Sequence, residues 1–324
     1  EGVQCGFTAH VSHVCPEADG TGSGKCKDTF IGSSFAAGYE NTDCKFSAIA
    51  HWKLWYLLYQ LCCMGGFFDS NRLCLSGSIQ EMHGKQQRRR KLMIISTTGT
   101  ADGNGTFLVY HGPYREIIPR MAACGYKGVE MHIEDSVCIL RDELWELLRA
   151  YGMRLTSIGT GAIYGKRHYN LVDSDSSIRQ AAIGHLRHHM ITAQPDHGLV
   201  IIGLITGRMQ DCTCREEFFW NLEESLYQLD QLAESYDVQL GFELTNRYER
   251  EYLIRIADGV EYLRSHNYKR ILLHLDTVHM NIEEADIRQA ILGAKGYVGH
   301  VHIADNDRWY PGHGHYPFWR RFRH

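Results

Sequence analysis

Three apolar runs in the second half of the chain end abruptly in ionisable residues. VQLGFELTNRYE carries Glu243 and Glu249; RILLHLDTVHMNIEEAD carries Asp276 and His279; GYVGHVHIADNDRWYPGHGH carries His302, Asp305 and Arg308. Two carboxylates and an imidazole at the ends of successive parallel strands can converge on one divalent metal. Hard oxygen donors with one imidazole favour Mn²⁺, Co²⁺ or Mg²⁺ over a thiolate-type zinc site. A carboxylate beside such an ion can act as general base, provided it reaches the proton it removes. One chemistry such a set could serve is proton abstraction from carbon next to a carbonyl, with Lewis-acid help worth several kcal/mol. A lone Glu or Asp at a strand end is usually a helix cap or a solvated charge, so the weight rests on Glu243, Asp276 and His302 together.

The elements that must position these residues alternate regularly from Met93. Strands are expected at LMIIS, GVEMHIED, RLTSIGTG, LVIIGLITG, VQLGFELTN, RILLHLDTVH and YVGHVHIAD. Between them YREIIPRMAACG and RDELWELLRAYG read as helices stopped by Gly125 and Gly152. A polar loop, AIYGKRHYNLVDSD, precedes a helix from SSIRQAAIGHLRHHMITAQ, which Asp173 or Ser174 can cap. Further helices are expected in EEFFWNLEESLYQLDQLAESYD, YLIRIADGVEYLRSH and EADIRQAILGAK. Strand and helix repeated with short joints imply parallel strands and right-handed crossovers.

The chain of 324 residues has 44% apolar residues and a net charge of −4, which gives no reason to expect a polyanionic partner. Seven of its eleven cysteines lie before residue 92, at spacings that match no zinc pattern. The remaining four are scattered, so the later portion reads as a reduced, cytoplasmic protein. Residues 1–91 show no clear period and are expected to be an irregular, Cys-rich extension, one reading of which is that it is not natural coding sequence. Its apolar run LWYLLYQLCCMGGFF is shorter than the about 20 residues that span a bilayer, so a membrane role is disfavoured. The basic KQQRRRK reads as a solvated segment.

The motifs FELTNRYE, LDTVHMNIEEAD and GHVHIADNDRWYPGHG, in that order, resemble the xylose-isomerase-like TIM-barrel superfamily of sugar isomerases and epimerases, most nearly its ketose 3-epimerase branch. The resemblance runs from about Met93 almost to the end and implies a (β/α)8 barrel over residues 92–324. Seven strands are recognisable; the expected last βα unit is missing after PGHGHY, where PFWRRFRH follows, as a truncation or frameshift would leave it. The barrel is therefore expected to be incomplete, with its first and seventh strands as open edges.

The resemblance also assigns roles. Glu243 would be both metal ligand and acid/base residue, with Asp276 and His302 as further ligands. His279, Glu249 and Arg308 would bind the sugar. Glu283 and Glu284 are expected in loop and helix-start roles. The family's fourth ligand, its second acid/base glutamate, has no counterpart, so activity is expected to be impaired. His300 is expected on the face opposite His302, packed against a helix. For Glu130 and His132, substrate contact and structural hydrogen bonding stand equal. His313 and His315 are simplest as loop residues. The implied activity is metal-dependent epimerisation or isomerisation of a keto sugar through an enediolate, with a small sugar as partner and a homo-oligomer among the compatible assemblies. The alternatives are dehydration of a polyol ketone and an inactive fragment. An abasic-site endonuclease would need a larger His-rich cluster and a basic face for nucleic acid, and neither is evident.

Overall fold

Strands of alternating character, each followed by a helix, build the molecule, and the alternation decides which side chains meet. The computed structural model describes residues 6–9, 94–101, 108–137 and 139–316. The apolar run, the basic stretch and the tail PFWRRFRH singled out in the sequence lie outside them. The strands are β1 (Gly6–Ala9), β2 (Ile94–Thr100), β3 (Tyr110–His111), β4 (Gly128–His132), β5 (Arg154–Gly159), β6 (Leu199–Ile202), β7 (Gln239–Glu243), β8 (Ile271–Asp276) and β9 (Val298–Ile303). All their pairings are parallel, and β2, β4, β5, β6, β7, β8 and β9 follow one another in sequence order. These seven are the strands expected from the sequence.

The fold is an α/β barrel of the TIM type, and among the described residues no further βα unit follows β9. The place between β9 and β2 is taken by β1. Its four residues pair with both neighbours: Thr8 lies level with His302 on one side and with Ser96 on the other. The two edges expected to stand open are thus bridged by four residues from the stretch expected to be irregular.

Among the described residues eight α-helices surround the strands: α1 (Tyr114–Ala123), α2 (Arg141–Ala150), α3 (Gly161–Arg167), α4 (Ser176–Ala193), α5 (Arg215–Tyr236), α6 (Ile256–His266), α7 (Thr277–Glu283) and α8 (Ile287–Gly293). Glycines at 125 and 152 take positive φ just past α1 and α2, as their use as stops requires. The cap of α4 is Asp175, whose carboxylate accepts from Ser177 N at 2.8 Å, rather than Asp173 or Ser174. α3 lies inside the stretch expected to be a polar loop; its two glycines hide the helical period.

α5 shows how the outer layer is held. Phe218, Leu222, Leu226, Leu229 and Ala233 recur at helical spacing and are fully buried. Each large apolar side chain of this kind contributes about 1.5–3 kcal/mol. On the strands, Val129 and Met131, Leu240 and Phe242, Leu273 and Leu275, and Val301 and Ile303 point outward into the same apolar core. By period-two alternation the residues between them face the barrel interior. Glu130, His274 and His302 lie between them and Glu243, Asp276 and His300 one position beyond them, and together they form the site.

Candidate active site in the barrel mouth

β7 ends in Glu243, and the backbone behind it is fixed by Arg250, whose Nη2 donates to Glu243 O at 2.6 Å. The carboxylate leans across Gly203, just after β6, where a Cβ would overlap Glu243 Oε2. Glycine here makes room for the side chain. β8 ends in Asp276. One oxygen, Oδ1, caps α7 by accepting from Val278 N at 2.7 Å, which leaves Oδ2 facing His302 Nδ1 at 3.7 Å. Thr277 ties the two strand ends together: its hydroxyl donates to Ala304 O at 2.7 Å and accepts from Ala304 N at 2.9 Å.

Ligand atoms of Glu243, Asp276 and His302 lie within 4.8 Å of one another. Ligands on opposite sides of one ion, with bonds of about 2.1 Å, stand about 4.2 Å apart, so small side-chain movements suffice to fit one. His279, on the first turn of α7, accepts from Asn246 Nδ2 at Nδ1, 2.8 Å away. Its neutral ring therefore carries its proton on Nε2, which lies 3.5 Å from Glu243 Oε1 and 4.0 Å from Glu249 Oε2. At the rim Arg308 Nη2 donates to Glu249 Oε1 at 3.0 Å. All six residues assigned by sequence thus meet at the C-terminal ends of β7, β8 and β9.

Asp305 plays a different part. It is fully buried and accepts from the backbone N–H groups of Asn306, Gly312 and Tyr316, so it folds the loop that carries Arg308. Glu283 clasps Arg247 with both oxygens, and Glu284 accepts from Ile256 N at 2.7 Å, in keeping with loop and helix-start roles.

Below this mouth lies a second polar layer. Glu130, fully buried on β4, accepts from Ser157 Oγ at 2.6 Å, His132 Nε2 at 2.9 Å and His300 Nε2 at 3.1 Å. His302 Nε2 lies 3.0 Å from each of its oxygens. Structural hydrogen bonding is therefore what Glu130 and His132 do. His300 faces inward with His302, not outward, because residues two apart on a strand share a face. His274 lies within the apolar run of β8, yet it too points inward, and among the described residues no hydrogen-bond partner meets either ring nitrogen. With His300 and His302 it forms a second trio of ligand atoms within 4.8 Å, so the interior is richer in imidazole than the sequence suggested.

The charges lock together. Burial alone would raise the Glu243 carboxyl, but the neighbouring imidazoles His279 and His302 outweigh it and hold it below the usual carboxylate range. Burial opposes ionisation of Asp276 as well, and His279 and His302 drive it far below the usual carboxylate range. Burial would lower His302, yet Glu130 and Asp276 push it up to about 10. His279 is likewise raised, against burial, by Asp276 and Glu243. Burial holds His274 neutral, with the charge on His302 adding to it. Glu130, Asp276 and Glu243 thus bring three carboxylates together at the barrel interior, an arrangement that suits a cation.

The sequence model of the family described as "Xylose isomerase-like TIM barrel" matches residues 118–324, and the chain belongs to that family. Its relatives include ketose 3-epimerases. It is 39% identical over 94 residues to L-ribulose 3-epimerase of Mesorhizobium japonicum, a match covering 29% of this chain but only about a third (32%) of that relative's length. To L-ribulose 3-epimerase of Methylomonas sp. it is 28% identical over 227 residues, covering 66% of this chain and 76% of that one. The structure of D-allulose 3-epimerase from Methylomonas sp., in complex with D-allulose, superposes with a TM-score of 0.57 at 26% identity, covering 68% of this chain and 76% of that chain.

Proposed function

We propose that this chain is a divalent-metal-dependent keto-sugar epimerase acting at C3. The observation that carries the proposal is the meeting of Glu243, Asp276 and His302 at one point, ringed by His279, Glu249 and Arg308. The donor set of two carboxylates and one imidazole fits Mn²⁺, Co²⁺ or Mg²⁺. When bound there, such an ion supplies Lewis-acid stabilisation of the negative charge that develops on the sugar oxygens. Glu243, held ionised by its neighbours, takes the proton from the carbon beside the carbonyl. His279 presents its Nε2–H next to Glu243 and orients a sugar oxygen. Glu249 and Arg308 grip hydroxyls further out, where their own ion pair shows complementary donors and acceptors.

Inversion also needs a proton returned to the opposite face. The ring position next to β9 that would carry a second glutamate holds GFTA, which has no acid. A C3 proton taken up by Glu243 can exchange with solvent before one is returned, so solvent deuterium reports its removal. The test is a panel of ketoses in D₂O with Mn²⁺. Deuterium at C3 that vanishes in Glu243→Gln supports the reading. Label at C1 or C2 instead would make the chain an aldose–ketose isomerase, and label that persists in Glu243→Gln would overturn the base assignment.

A further inference from the structure

Glu130 is the most heavily engaged side chain in the barrel, and nothing in the chemistry proposed above uses it. It is fully buried, comes from β4 on the far side of the ring, and reaches His302 with both oxygens at 3.0 Å. Its own position is fixed by Ser157, His132 and His300, three donors at 2.6–3.1 Å. With both oxygens so occupied it stands behind the mouth cluster rather than within it. His302 has two ring nitrogens and two different neighbours: Nε2 meets Glu130, while Nδ1 faces Asp276 Oδ2 at 3.7 Å. The ring of His274 packs edge-on against His302, centroids 4.1 Å apart and planes at 86°, which restrains rotation about the ring axis.

We propose that Glu130 is the positioning residue of the mouth site: it accepts the Nε2–H of His302 and so turns Nδ1, the nitrogen that would hold an ion, toward Asp276 and Glu243. This rests on the metal-site reading given above. A carboxylate behind a histidine ligand fixes both its tautomer and its orientation and raises its basicity, and loss of such a partner typically weakens metal binding about 10–100-fold. Without Glu130 the Nε2–H would be left in a buried pocket with its strongest acceptor gone, and the ring would gain by moving its proton to Nδ1, next to Asp276.

The experiment is a Mn²⁺ titration of the full chain and of Glu130→Gln, with thermal melting of the metal-free proteins to confirm folding. Alongside it, ¹⁵N NMR of the His302 ring is recorded with Mg²⁺ present. The expected result is at least about tenfold weaker Mn²⁺ binding and a His302 spectrum that changes from one tautomer, protonated at Nε2, to a mixture. A folded Glu130→Gln that binds Mn²⁺ within twofold of the parent and keeps the single tautomer overturns the proposal. Asp276→Asn is the companion variant. If it also binds like the parent, the metal-site reading itself fails, and the role of Glu130 fails with it. Should Glu130→Gln not fold, Ser157→Ala decides: the carboxylate remains but loses its shortest donor. Binding weakened about threefold or more supports the proposal, and binding within twofold of the parent refutes it.

Discussion

Replacing Thr277 by Val isolates the contact that holds the ends of β8 and β9 together. Valine keeps the branched shape but removes the hydroxyl that serves Ala304 O at 2.7 Å and Ala304 N at 2.9 Å. Thr277 is 6% exposed and Ala304 2%, so water does not replace the lost partner freely. Each buried backbone group left unsatisfied costs about 1–3 kcal/mol. Two of them, discounted for relaxation of the loop, predict a loss of about 2–4 kcal/mol, a large part of the about 5–15 kcal/mol that stabilises a typical domain. The assay is urea denaturation of parent and Thr277→Val, followed by far-ultraviolet circular dichroism and by fluorescence. A loss below about 1 kcal/mol, with coincident transitions, would show that the hydroxyl does not clamp the strand ends.

Gly203→Ala should displace the Glu243 carboxylate, because a Cβ there overlaps Oε2; activity is expected to fall about tenfold or more for a stability cost of only about 1–3 kcal/mol, and unchanged turnover would contradict the placement of Glu243. Arg308→Ala, at the half-exposed rim, should raise KM roughly 3–10-fold with kcat little changed, as steady-state kinetics would show. Burial holds the His189 imidazole down at about 3 against an ordinary 6.5. The folded state thus keeps it neutral while the unfolded chain takes up a proton, so stability is full above about pH 6.5 and is lost toward pH 3, by about 1.4 kcal/mol per pH unit. His189→Gln should flatten that acid limb in urea melts taken from pH 7 to 4, and an unchanged slope would refute the assignment.

The barrel was legible because seven of its strands announce themselves as apolar runs alternating with helices. The mouth residues were legible because Glu243, Asp276 and His302 stand where those runs break off. What lay within the runs was hidden. His274 sits between Leu273 and Leu275 and passes for part of an apolar strand, although alternation turns it inward. His300 was set on the wrong face, while its spacing of two from His302 was the signal that could have placed it. Glu130 is 172 positions from His302, and only closure of the ring brings them to 3.0 Å. β1 left no mark, since GFTA is too short to show a period. The deeper layer is therefore a product of topology, whereas the mouth is a product of local sequence.

The most direct measurement is the anomalous-scattering map of crystals of the full chain soaked in Mn²⁺. The account predicts one strong peak at about 2.0–2.4 Å from a Glu243 oxygen, Asp276 Oδ2 and His302 Nδ1. A peak seated instead among His274, His300 and His302, or no peak at the barrel mouth, would contradict it.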